Sequence, residues 1–259
     1  MFERAARARR HAAAMNDTQQ QQRSALVFGA RNLGRAVIER LRADDWAVAA
    51  VARSDSTLAT AEAAGALAMA GDITDPGSVR SALARAAEAH GGVDLVLNAA
   101  SAYGGDRRGP FGGGPLADAA PDAFDAWAAA PARAAFTFLS VASRFALDQS
   151  RPATLIQVTG GSARRAMPGR GLWAAGAFGV RAITSAAALE LREHGIHVAL
   201  LIVDAGIEPF EGGGRPGVDP AALADPREIA DAVVFLAEQG ARAATHELQV
   251  TPLAETWVP

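Results

Sequence analysis

The stretch "SALVFGARNLGRAV", residues 24–37, decides the fold. An apolar run without alternation leads into Gly29, and a second glycine, Gly34, stands where a helical pattern begins. A continuous apolar run suits a strand covered on both faces. A glycine turn that opens a helix aims backbone N–H groups and the positive helix end at one spot, where a pyrophosphate can sit. The turn is not a full GxGxxG or GxxxGxG: Asn32 stands where a middle glycine is expected, and Asn tolerates positive φ better than most residues. Gly29, Arg31, Asn32, Leu33 and Gly34 are therefore the candidate phosphate-cradle residues. An ordinary strand-to-helix turn is the alternative.

The same alternation continues outward to the end of the chain. "SALVFG", "AVAAVA", "ALAMAG", "VDLVLNA", "ATLIQVT", "HVALLIV" and "HELQVT" read as seven strands. Helices are predicted at 33–43, 56–64, 76–89, 122–148, 173–193 and 226–238. This pattern predicts an α/β fold, a doubly wound, Rossmann-type, seven-stranded parallel sheet with helices on both faces, forming a single domain over 24–259. Two Gly/Pro-rich loops, "SAYGGDRRGPFGGGPLADAAP" and "GIEPFEGGGRPGVDPAALADP", follow the fourth and sixth strands. Both lie at the strand C-terminal edge, so they are expected to wall a cleft.

With 259 residues, half of them apolar, the chain can bury one sizeable core. Residues 1–23, Arg/Ala-rich and then Gln-rich, read as a disordered tail, and Met15 offers an alternative start. A net charge of −3, with Arg dispersed among acids, points away from nucleic acid and anionic membranes. The absence of Cys excludes disulfides and thiolate chemistry and is compatible with a reducing, cytoplasmic setting. No uncharged apolar run approaches the roughly 18 residues needed to span a bilayer, so a soluble protein is expected. His11, His90, His194, His197 and His246 form no metal-ligand pattern, and no metal site is expected. No GxSxG elbow follows a strand.

Three more segments now matter: "GDITD" at 71–75, "LNAAS" at 97–101 and "WAAGAFGVRAIT" at 173–184. With "VFGARNLGRA", they make residues 24–252 resemble the short-chain dehydrogenase/reductase family. Its first turn usually reads TGxxxGxG, so here a residue is lost or Phe28 replaces a glycine. The resemblance implies that Asp72 and Ile73 hold an adenine ring and that Asn98, Ala99 and Ala100 match the family's NNAG. It also implies a homodimer or homotetramer, with helices 122–148 and 173–193 packing between subunits. The second strand ends "AVAR", where a carboxylate favours NAD and a cation favours NADP. Arg53, joined by Arg31 from the turn, favours NADP(H) over NAD(H). A solvent-facing Arg53 with no ligand is the alternative.

The family's chemistry is missing. A phenol with a pKa near 10 needs a nearby cation to act at neutral pH, and spacing i, i+4 puts the two on one helix face. "WAAGAFGVRAIT" follows the family string "YSATKFAVRALT" position for position, so Trp173 replaces the tyrosine and Ala177 the lysine. Gly160 stands at the serine's usual spacing, and Pro131 replaces the helix asparagine. Indole does not titrate usefully, and alanine offers no charge. Tyr103, the sole tyrosine, and Ser162 are substitute candidates; a packing aromatic and a solvated turn serine are the plain alternatives.

Three functions stay open. One is a divergent NADP(H)-dependent oxidoreductase with relocated or substrate-derived acid. Another is a non-catalytic NADP(H)-binding sensor or scaffold. The third is a cofactor-independent lyase, isomerase or cyclase.

Overall fold

The computed structural model describes residues 22–101, 109–149 and 151–255. Its strands are β1 (Ser24–Phe28), β2 (Ala47–Ala52), β3 (Leu67–Ala70), β4 (Leu95–Asn98), β5 (Thr154–Gly160), β6 (His197–Val203), β7 (Gly206–Ile207), β8 (Leu223–Ala224) and β9 (Glu247–Val250). The helices are α1 (Leu33–Ala43), α2 (Asp55–Ala63), α3 (Pro76–His90), α4 (Ala130–Asp148), α5 (Gly171–Leu191) and α6 (Pro226–Ala237). Seven strands form one sheet in the order β3-β2-β1-β4-β5-β6-β9, and every pairing in it is parallel. The doubly wound architecture expected from the apolar runs is the one observed.

Each central strand is apolar on both faces because each face meets a helical layer. Val27, Leu97, Ile156 and Leu201 pack with α1 and α6. Leu26, Val96, Leu155 and Val198 face α3, α4 and α5. Full burial of such side chains contributes about 1.5–3 kcal/mol each before conformational entropy is counted. Local signals then set the helix ends. Asp75 and Asp225 accept hydrogen bonds from first-turn N–H groups, each with proline following at the first helical position.

Three sequence readings change. Gln22 and Arg23, assigned to the tail, are tied to the fold: the Gln22 amide donates to the Asp45 carbonyl, and Arg23 pairs with Glu238 at 2.7 Å and covers Trp46. The predicted helix 122–148 runs without interruption over 123–148, but its start is a π turn over Asp125–Ala129 that leads into α4. Pro131 accounts for the irregular ladder, because it has no N–H to return to the Trp127 carbonyl. That carbonyl instead lies against α5 at Gly176, where a Cβ would stand 2.6 Å from it. Finally, the helical segment Gly171–His194 is long and apolar enough by composition to cross a bilayer, although no uncharged run suggests it. Here it packs against α4 and β6, and its Arg181 forms a two-pronged pair with Glu247 of β9 at 2.6 and 2.9 Å.

Candidate functional site

The C-terminal ends of β1, β4, β5 and β6 gather the functional candidates. At the first turn, Gly29 has φ +88°, and a Cβ there would stand 2.6 Å from the Ala100 Cα. The turn therefore lies directly against the end of β4, where the Ala99 N–H donates to the Phe28 carbonyl at 2.9 Å. A Cβ on Gly34 would overlap the Gly29 carbonyl oxygen, so the start of α1 folds tightly back on β1. No side chain caps α1, which leaves its first-turn N–H groups for a ligand. The shortened turn thus keeps its two sterically demanding glycines. Leu33 is buried in the core and can serve a ligand only through its backbone.

Asn32, in the middle glycine's place, has φ −101°, so left-handed tolerance is not what it supplies. Its amide instead donates to the Glu208 carbonyl at 2.9 Å. The loop after β6, whose ends are joined by the β7–β8 bridge, folds back over the turn at this point. Arg35 pairs with Glu211, and Phe210 lies between the guanidiniums of Arg35 and Arg227 at 4.2 and 4.3 Å. Sequence reading missed this latch, since nothing local marks a contact between positions so far apart.

At the end of β2, Arg53 is 69% exposed and stands 3.8 Å from the Asp72 carboxylate. Burial pushes the Asp72 carboxyl up, but hydrogen bonds from the Thr74 N–H and hydroxyl and the charge of Arg53 outweigh it and hold it below the usual range. Arg31 is exposed and makes no ion pair among the described residues. Both cations are thus accessible, while Ile73 is buried beside them. Asn98 is committed internally: its amide donates to Gln157 on β5 at 2.9 Å and accepts from the Ala100 N–H at 3.1 Å. Its structural part is to lock two strand ends that border the cleft.

The edge that holds Gly160 and Trp173 contrasts with this. Gly160 closes β5 in an extended conformation, φ −97° and ψ 171°, and a Cβ there would meet only the Val203 carbonyl at 3.9 Å. Space for a serine is present; the hydroxyl is not. Ser162 lies in the next 3-10 turn, Gly161–Ala163, and its hydroxyl has no hydrogen bond among the described residues. Trp173 sits in the first turn of α5, with Ala177 buried one turn later. Around Trp173 the fold assembles two more rings, Phe111 at 4.8 Å and Trp127 at 5.7 Å between centroids. Their tilted and edge-on arrangements are favourable for aromatic pairs. Trp173, which the resemblance sets in the tyrosine's place, is thus the centre of an aromatic cluster. Tyr103 lies outside the described residues.

A further carboxylate, Asp204, follows β6 and fills the space next to Gly161, where a Cβ would overlap it. The sequence signal was an acid ending an otherwise apolar strand. Arg165 donates to it at 3.2 Å, and Gln249 approaches at 3.4 Å. Burial pushes the Asp204 carboxyl up, Arg165 pulls it down, Glu255 pushes it up again, and the net position is above the ordinary value. A raised carboxyl contributes stability that is complete below the unfolded pKa, about 3.9, and lost as pH rises through the folded one. Ionised Asp204 therefore costs stability at neutral pH. The variant Asp204→Asn is expected to gain Tm relative to the parent between about pH 4 and about pH 7. Calorimetric melts at both values check this, and a relative loss on raising the pH would contradict it.

Among the described residues no cluster of His, Asp or Glu could hold a metal. The sequence matches the family model for short chain dehydrogenases over residues 23–205. A short-chain dehydrogenase/reductase of Armillaria gallica is 30% identical over 188 residues, 69% of each chain. Similar solved structures include a metagenomic short-chain oxidoreductase in complex with NADP, at 24% identity and TM-score 0.67, covering 90% of this chain and 98% of that one. Levodione reductase superposes with TM-score 0.75 at 21% identity, over 88% and 96% of the two chains. Acetoin dehydrogenase from Enterobacter cloacae gives 0.72 at 19%, over 90% and 95%.

Proposed function

The chain belongs to the short-chain dehydrogenase/reductase family, and within it we propose an NADP(H)-binding oxidoreductase that does not use a tyrosine–lysine pair. One contrast carries the reading. The cofactor side keeps a turn that only glycines can form and places a cation at the end of β2, whereas Pro131, Gly160, Trp173 and Ala177 leave no titratable group in the four catalytic positions.

The residues fit a nicotinamide dinucleotide. N–H groups of the uncapped α1 start, at Leu33 and Gly34, would hold the diphosphate at a turn whose close packing leaves no room for a Cβ at Gly29 or Gly34. Arg53 and Arg31 would take the 2′-phosphate, and Asp72 and Ile73 would border the adenine. The bound nicotinamide supplies or accepts a hydride. This chain's part is to position the acceptor and exclude water with the rings of Phe111 and Trp173. Without a tyrosine–lysine pair, either the acceptor is conjugated or already protonated, so that no protein group has to deliver a proton at the reacting oxygen, or a relocated acid delivers it, for which Tyr103 and Ser162 are the candidates. The same four substitutions favour a second reading, an NADP(H) sensor without turnover. A cleft reused without cofactor is the third.

Calorimetric titration separates them. NADPH is expected to bind about tenfold or more tighter than NADH, and Arg53→Glu to remove that preference, since a hydrogen bond to a charged group contributes about 1.5–3 kcal/mol. Absence of binding at about 1 mM, a Kd limit near −4 kcal/mol, would leave only the cofactor-free reading. If NADPH binds, turnover of an enone panel supports the oxidoreductase, and none supports the sensor.

A further inference from the structure

The aromatic cluster continues to the surface. Phe111 is 53% exposed despite touching both tryptophans, Leu116 is 71% exposed and Met167 42%. They lie around Arg170 and Gly171. Leu116 lies 3.1 Å from where a Cβ on Gly171 would stand, Met167 touches Arg170 at 3.9 Å, and Gly112 brings the loop onto Arg170 and Trp173. An exposed apolar patch of this kind is a surface that can take a ligand. One charge belongs to it: the Arg170 guanidinium lies 5.4 Å from the Phe111 centroid and pairs with no carboxylate among the described residues.

That charge selects among ligands. Three rings could also attract a cation, but the cation's place over Phe111 is already taken, and a second positive group would be repelled. A neutral ring would leave the guanidinium unused. Stacked on an aromatic face, a guanidinium still presents in-plane donors that match a carboxylate. We propose that the substrate side of this cleft takes a planar aromatic carboxylate, its ring against the exposed Phe111 and its charge on Arg170. The inference rests on the reading of this edge as the substrate side, and it names the substrate class.

Equilibrium dialysis of the full chain tests it with three probes: 2-naphthoate, the uncharged 2-naphthalenemethanol and the non-planar cyclohexanecarboxylate. The expected result is that 2-naphthoate binds about tenfold tighter than either of the others. Arg170→Gln is expected to erase the advantage over the alcohol, and Phe111→Leu to weaken 2-naphthoate about fivefold. Both side chains are exposed, so both variants are expected to fold, which circular dichroism checks. Equal binding of the three probes, or no response to Arg170→Gln, overturns the proposal. NADPH titrated separately keeps the two readings apart. The naphthoate pattern without NADPH binding supports this proposal and sinks the cofactor reading, while NADPH binding without the pattern does the reverse.

Discussion

Gly34→Ala is expected to abolish NADPH binding and to destabilise the chain by about 3 kcal/mol or more, the upper end for an overpacked site. The cause is steric and local. A Cβ at 34 has nowhere to go, because it overlaps a backbone carbonyl, that of Gly29, and not the end of a mobile side chain. Relief requires α1 to move away from β1, which opens the cradle and weakens the packing of Val37, Ile38 and Leu41 behind it. Gly160→Ala is the matched control on the same sheet edge. Its Cβ meets only one oxygen at 3.9 Å, so stability is expected to stay within about 0.5 kcal/mol of the parent. Urea unfolding of both variants, with calorimetry of NADPH, reads the difference. A Gly34→Ala protein with the parent's midpoint would mean that the turn is looser than its geometry indicates.

The second large effect is a gain. Trp173→Tyr alone is expected to leave NADPH-dependent reduction of a simple diketone such as 2,3-butanedione at background, because an isolated phenol with a pKa near 10 has no cation to tune it. The triple variant Gly160→Ser, Trp173→Tyr, Ala177→Lys is expected to exceed that single variant by about a hundredfold, the lower end for a positioned general acid. The backbone favours the experiment. Positions 173 and 177 share one face of α5, and Gly160 is extended with room for a side chain. Lysine replaces a buried alanine, so circular dichroism and NADPH binding of the triple variant must match the parent before turnover is compared. A folded, cofactor-binding triple variant with no turnover would show that the aromatic cluster, and not the lost groups alone, bars the family's reaction.

Much of the fold was legible because its signals are local. Helix 33–43 was read to the residue, since a glycine turn precedes it and its apolar spacing continues to Leu41. The helix at 122–148 was less legible. Pro131 was read as a lost asparagine, and its other effect is on the helical ladder, at a place where Gly176 of another helix leaves room for the Trp127 carbonyl. At the site, Gly29 and Gly34 were evident from spacing, whereas Asn32 was misread. It was taken for a residue tolerant of positive φ, and it is a donor to Glu208 in a loop 176 positions away.

By itself the sequence determined the strand and helix succession and the parallel sheet, because apolar periodicity is a property of neighbours along the chain. Only the tertiary structure decided what surrounds the candidate positions. Three rings from separate segments meet at Trp173, Asp204 fills the space beside Gly161, and the loop after β6 latches onto the turn. Those contacts join residues that the chain separates widely, and they exist only once the sheet brings its C-terminal edges together.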